Sequence, residues 1–478
     1  MKRPAVNRVC AAVIGAMAAF GPSLALAADD LQSLRSEIEA LKKEIRELRD
    51  AQRRPPTAAP ATSPQPSASM PGLSTTVLGA TVTLYGTLNA DAGTVERTGA
   101  TASSSALNSL VGAPGLTPTN SASRSVLRSN SSNFGIRGKR EITRGLSAVF
   151  QVESGFSSDG GAGTLAGRDT FIGLEGSYGT LLYGGNIDSP YKRSVQGKDP
   201  FFATGIATQK GILGSPGFNV TSVNAVAGST VGGNAAGSQQ QNAGFDARLN
   251  NVVIYRSPVL SGFSGEIAYG MNEQKAAGGI NPTVISAQAR YEKGPWFAAY
   301  AYEEREDVFG LNSLLTFVPG TGSTGTLFVP PPGASSKDSA NKLGLGYRIL
   351  STTELLLVWE NLRYTTSTGA ARKFERDAWV GSVNHRIGRH HAILSYSKAD
   401  QGSCSLATGA ACSTSGMGAE QWALGYVFDL DPNTWLYAFW TQIRNEEAAA
   451  YNFGVSGAPA AGVGADPQGL ALGIRYRF

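Results

Sequence analysis

Between residue 81 and the C-terminus the chain repeats one device sixteen times: a short segment in which apolar and polar residues alternate. In TVTLYGTLNADAG, Val82, Leu84, Gly86, Leu88 and Ala90 fall on one parity, and Thr83, Tyr85, Thr87, Asn89 and Asp91 on the other. A period of two is the signature of a strand with one apolar and one polar face. SNFGIRGKREI, GLSAVFQVESGF, TVISAQARYE, TELLLVWENLRY and GLALGIRYRF belong to the same series. The connections alternate too. Short ones (ITRG, SYG, SPVLSGF, EKGP, LST, IGR, LDPN) exchange with long Gly/Ser-rich ones, the pattern of a barrel with tight turns at one end and long loops at the other. The 398 residues from 81 to 478 then predict a 16-stranded antiparallel β-barrel, all-β in class, with both chain ends on the turn side.

Which face looks outward follows from charge. The polar parity carries Arg137, Lys139, Gln151, Glu153, Gln288, Arg290, Glu303, Arg305, Lys342, Arg348, Arg475 and Arg477. Charges in such number cannot be buried without water or partners, so the polar face should line a wet interior and the apolar face should meet lipid. No run of about 18 apolar residues follows the N-terminal region, which excludes a membrane-spanning helix; a closed barrel can still span, because closure satisfies its backbone hydrogen bonds. Trp296, Trp422, Trp435, Tyr437 and Phe478 lie near strand ends, as an interfacial aromatic girdle requires, although ordinary β-packing also enriches aromatics.

Residues before 81 read differently. Residues 1–27 combine Lys2, Arg3 and Arg8, an apolar run from Ala11 to Phe20, and Ala25-Leu26-Ala27, the arrangement of a secretory signal peptide. Removing them takes three positive charges from 41 and none from 36; the near balance argues against nucleic acid as a partner. Residues 28–54 hold Leu31, Leu34, Ile38, Leu41, Ile45 and Leu48 at alternating spacings of three and four, a coiled-coil seam. Glu37 with Lys42 and Glu44 with Arg49 fall at positions that pair across a parallel coil, so this segment predicts parallel self-association, while Ile at a with Leu at d favours two strands over three. A 55–80 Pro/Ser/Ala-rich stretch should be an extended linker. Cys404 and Cys412 sit in the small-residue loop CSLATGAAC and predict a loop-closing disulfide in an exported chain. No cofactor or metal is expected.

The barrel segments resemble the trimeric outer-membrane porins of Gram-negative bacteria, particularly the general porins of β-proteobacteria. The resemblance rests on VTLYGTLNADAG, SNFGIRGKREITRGLSAVFQVESGF, RDTFIGLEGSYGTLLYGGNIDSPYK, FDARLNNVVIYRSPVLSGFSG and the closing GLALGIRYRF, whose Phe478 resembles that family's terminal assembly signature. It implies a homotrimer in the outer membrane, with the coil in the periplasm, and a third outer loop folded into the lumen from about residue 189 to 247. That loop opens with Asp188, Lys192, Arg193, Lys198 and Asp199 and ends beside Asp246 and Arg248. Charges facing each other across a wet neck would bias which ions enter; a solvated loop with incidental charge is the plainer alternative. The resemblance places Arg137, Arg168 and Arg248 at lumen-facing basic positions. Asn133 and Gly185 stand where the family carries arginines, which weakens the case for strong anion selectivity. RDTFIGLEGS alternates poorly, as packing at a trimer interface would cause.

Together these features predict a water-filled channel for passive diffusion of small hydrophilic solutes and ions, with a weak anion preference. Two alternatives stand beside it: a channel selective for small carboxylates, and a structural tether to the cell wall or a periplasmic partner through the coil. A hydrolase would need a nucleophile elbow that is absent; the three histidines, His385, His390 and His391, cluster at one expected turn.

Overall fold

In a computed structural model, the described residues are 72–101, 120–161, 163–217, 244–273, 280–311, 330–453 and 463–478. The signal, the coil seam and most of the linker lie outside them. Sixteen strands form one closed antiparallel sheet. They are β1 (Ala80–Thr98), β2 in two segments (Ser121–Ser129 and Asn133–Thr143), β3 (Leu146–Phe156), β4 (Thr170–Gly176), β5 (Gly179–Gly185) and β6 (Val252–Arg256). There follow β7 (Phe263–Gly270), β8 (Thr283–Lys293), β9 (Trp296–Glu306), β10 (Ser336–Ile349) and β11 (Thr353–Thr366). The last five are β12 (Ala371–Ile387), β13 (His390–Ala399), β14 (Ala419–Asp431), β15 (Thr434–Asn445) and β16 (Asp466–Arg477). Each strand pairs with its sequence neighbour, and β16 returns to β1 from Asp466 opposite Thr98 to Arg477 opposite Thr87.

Phe478 completes the seam by exchanging backbone hydrogen bonds with Gly86 at 3.0 and 3.1 Å. Glycine is required there: a Cβ at residue 86 would collide with the Phe478 ring. Below that point Leu73–Val77 takes over, pairing with the lower part of β1 from Leu73 opposite Leu84 to Val77 opposite Ala80. This rim strand occupies a stretch expected to be linker. Its Thr/Val composition suits a strand, and the turn at Leu78-Gly79, both with positive φ, folds it back onto β1.

The outward parity forms an apolar band. On β11 it runs through Leu355, Leu357 and Trp359 before Asn361; on β12 through Val383 and Trp379 before Asp377. Asn361 donates to Asp377 at 3.0 Å, a polar contact that marks the upper limit of the band. Aromatic pairs border it: Trp296 with Tyr347 at 4.4 Å near the short turns, and Tyr396 with Trp422 at 4.7 Å near the loops. Trp435 and Tyr437 do not join this girdle. Their parity on β15 faces inward, beside Phe202.

The inward parity departs from a uniformly polar lumen. Val358, Val380, Phe439 and Ile443 point inside and are buried with Phe201, Ile206 and Ile212 of the third loop. The run LLLVW in β11 is apolar on both parities because it meets lipid on one face and loop on the other.

Candidate functional site

The third loop, between β5 and β6, begins and ends on a two-rung ladder that sets Asp188 opposite Arg248 and Ile187 opposite Leu249. From it grows α1 (Pro190–Gln196), started by Pro190 and capped by Ser189, whose hydroxyl accepts from the Lys192 amide at 3.1 Å. Such a cap satisfies one of the amide groups a helix start leaves unpaired. Tyr191 is fully buried, and its hydroxyl donates to Glu360 of β11 at 2.7 Å. Val195 lies so close to β10 that a Cβ at Gly344 would stand 2.5 Å from it.

Beyond α1 the chain crosses the interior. Phe201 packs edge-on against Phe439 of β15 at 5.1 Å, and Phe202 reaches Trp435. Asp199 holds the reversal: its carboxylate accepts from the Thr208 hydroxyl at 2.6 Å and from the amides of Phe201 and Gln209 at 3.0 and 3.1 Å. Burial raises its pKa, and these three donors oppose the shift. The returning limb is held by Arg376 of β12, which donates to the carbonyls of Ile212 and Ser215 at 3.1 and 3.0 Å. Glu360 ties both limbs, accepting from Tyr191, from the Gly214 amide at 2.7 Å and from Arg376 at 3.0 Å, with Lys342 3.4 Å away.

At the loop's root lies a chain of alternating charges. Lys192 pairs with Asp188 at 3.0 Å, and Arg248 reaches Asp188 at 3.2 Å and Asp169 at 2.5 Å. Arg193 also takes Asp169 at 2.6 Å, while Asp246 accepts Lys210 at 3.3 Å. On the wall, Arg168 pairs with Glu153, which accepts the Tyr85 hydroxyl at 2.9 Å, and the Arg137 guanidinium lies 5.0 Å from the Tyr85 ring centre. Burial would raise the Asp188 pKa, but Arg248, Lys192 and Arg193 outweigh it and hold the carboxyl well below its usual range. Burial pushes the Lys192 ammonium down.

Glu153, Arg168, Asp188, Lys192, Arg193 and Arg248 thus converge, and Arg137 stands beside them. Lys139 lies apart, paired with Glu175 at 2.5 Å, and Lys198 pairs with Glu292 of β8 at 2.7 Å. The charges of the loop's stems pair with one another, with Asp169 at the end of the preceding loop and with Glu292 of β8, so they pin the loop as well as colour the neck. Arg168 precedes β4; within Thr170–Gly176 the alternation is regular, with Phe171, Gly173 and Glu175 inward. Sequence reasoning missed Asp169, which sits next to Arg168 outside that alternation and holds two arginines. It also missed Glu360 and Arg376, whose signal was a charge flanked on its own inner parity by apolar residues, Val358 and Leu362 about Glu360 and Phe374 and Ala378 about Arg376. Cys404 and Cys412 face each other across a hairpin in the loop after β13 and form a disulfide, with Cα atoms 5.0 Å apart. The histidines do not converge: His385 meets Thr353 and His390 meets Tyr426 on the outer face, whereas His391 faces inward to Asp429 at 3.2 Å.

A closed sixteen-strand barrel with an apolar outer band and a loop drawn into a charged interior defines a membrane-channel scaffold. Residues 56–448 match the Gram-negative porin family, and the chain belongs to it. It is 33% identical over 192 residues to an outer membrane porin protein of Bordetella pertussis, covering 37% of this chain and 42% of that protein. To outer membrane porin protein 32 of Delftia acidovorans it is 24% identical over 355 residues, 73% of this chain and 85% of that one. The fold is shared with an anion-selective porin from Comamonas acidovorans (TM-score 0.59, 20% identity, 84% of this chain and 100% of the other). It is shared also with a trimer form of OmpT from Vibrio cholerae (TM-score 0.51, 14% identity, 84% and 100%).

Proposed function

We propose that this porin is a passive diffusion channel of the outer membrane, trimeric and weakly anion-preferring, that admits small hydrophilic solutes through a lumen narrowed by its third loop. The observation that carries the reading is the loop itself, held inside the barrel at both limbs by Glu360 and at its root by paired charges. A passage of this kind needs no chemistry, only a wet path of set width and potential.

The anion preference rests on the inner face of β16. Arg475 lies opposite Asn89 and Arg477 opposite Thr87, and among the described residues neither has a carboxylate within ion-pair distance. Arg475 lies 4.7 Å from the Phe202 ring centre and Arg477 5.1 Å from that of Trp435, a stacking that leaves positive charge uncancelled on the wall. The anion-selective porin from Comamonas acidovorans and the trimer form of OmpT, which share the fold, agree with this proposal. Reversal potential in a potassium chloride gradient across a planar bilayer tests it: the sign should show anion preference, and Arg475→Gln with Arg477→Gln should move it toward zero. A cation preference in the unaltered protein would sink it. The alternative, a tether through the coil, rests on residues outside those described and is tested by deleting residues 28–71 while following envelope integrity and conductance.

A further inference from the structure

The long connection from β9 to β10 starts with a turn that its own backbone resists. Asp307 and Phe309 both hold a positive φ, 53° and 54°, a region that a bulky side chain such as phenylalanine seldom enters and keeps only where its surroundings over-determine it. Val308, Phe309 and Leu311 are nonetheless buried, and Leu311 joins Ala340, Leu362 and Tyr364 of the inward parity in one apolar cluster at the outer mouth. Two polar groups of β10 hold the turn there: the Ser336 hydroxyl accepts from the Phe309 amide and the Asp338 carboxylate from the Gly310 amide, both at 2.8 Å. We propose that this turn is a proton-operated latch with Asp338 as its proton carrier, docked on the inner wall while that carboxyl is neutral and released as it ionises.

Asp338 is fully buried, and its second oxygen, Oδ1, has no hydrogen-bond partner; a buried carboxylate so poorly met is costly to ionise. The charged and titratable groups around it are committed elsewhere. On β9, Arg305 donates to Glu303 and to the Gly244 carbonyl of the third loop, both at 2.8 Å, and lies 4.5 Å from the Phe245 ring centre. Tyr364 of β11 faces Asp338 and is itself neutral, and behind it Arg376 of β12 pairs with Glu360 at 3.0 Å. Asp307, in the turn, accepts from the amides of Asn281 and Ser336 at 3.2 Å, and Lys337 turns outward to Glu304 at 2.8 Å. Among the described residues, then, no cation stands within ion-pair distance of Asp338. Asp338 also lies beyond the apolar band, since Asn341, opposite Asn361 at the band's upper limit, comes later on the descending β10. Burial pushes its pKa up to about 7, against the Gly310 amide and Arg305, which lower it. The docked turn thus holds a proton that the released turn gives up, so docking weakens as pH climbs from about 3.9, the ordinary carboxyl value, toward that raised one.

Amide hydrogen exchange of the purified full-length protein, corrected for the intrinsic rate at each pH, reads the latch at Phe309 and Gly310. Protection there should fall about tenfold between about pH 5.5 and about pH 7.5, while that of the Gly214 amide, held by Glu360 in the third loop, stays level. Asp338→Asn keeps an acceptor for Gly310 and cannot ionise, so it should hold protection at its acid value throughout. Ser336→Ala removes only the neighbouring acceptor and should lower protection at every pH while leaving its pH response in place; with the unaltered protein it carries the test should Asp338→Asn not refold. Protection that is indifferent to pH in the unaltered protein, a pH response that Asp338→Asn leaves intact, or one that Ser336→Ala abolishes would each overturn the proposal. The readout is local and needs no current, so it stands apart from the bilayer measurement of conduction.

Discussion

At the scale of single residues, Asp188 is where the loop's attachment to the wall is decided. Its carboxylate faces Lys192 and Arg248 with little solvent access, and removing one partner of a buried pair costs about 3–5 kcal/mol. Asp188→Asn should fall at the low end, since Arg248 keeps Asp169 and Lys192 keeps Asp246. The expected result is a loosened loop root, read as higher and noisier single-channel conductance with faster proteolysis between 186 and 251. The pH dependence follows from sign. The folded-state pKa of Asp188 is depressed, so its contribution is complete above the unfolded value of about 3.9 and is lost only as pH falls through the lower folded value. Conductance should therefore stay steady through mildly acid pH and change only under strong acid; a transition near pH 6 would contradict this assignment.

Among the elements, the third loop and the hairpin after β13 show two ways of holding an excursion in place. The loop is fixed by burial and polar latches against β8–β15. The hairpin, Ser403–Leu406 with Ala411–Cys412, pairs along the upper part of β12 and is closed by Cys404–Cys412. A cross-link over so short a loop is worth about 2–3 kcal/mol in the chain-entropy account. Replacing Cys404 and Cys412 by serine should leave the barrel's thermal unfolding nearly unchanged while proteolysis within residues 400–418 accelerates, because only the hairpin loses its closure. Unchanged cleavage there would show that pairing with β12 suffices. The strands were legible because each carries its own alternation. The rim strand Leu73–Val77 was not, since LSTTV is too short to show a period and sits behind a Pro-rich run.

For the whole molecule, the outward band is the constraint that every strand shares. Leu394, midway along β13 and outward-facing, should tolerate apolar exchange, whereas Leu394→Arg should cost about 2–4 kcal/mol at mid-membrane depth. The loss would be visible as a lowered temperature of heat-modified gel migration, and a neutral result would place the band elsewhere. The sequence by itself determined the number of strands, which connections are short and the inward and outward parities of strands that alternate cleanly, though not of β15, where Trp435 and Tyr437 turn inward, because alternation and turn chemistry are decided between residues one or two apart. Only the tertiary structure decided that the third loop crosses as far as Phe439, that Val358 and Val380 are buried beneath it, and that Asp188 meets Arg248 and Tyr191 meets Glu360. Those contacts join residues far apart in the chain, and the energy of a buried charge or an inward valine depends on what the fold brings to face it.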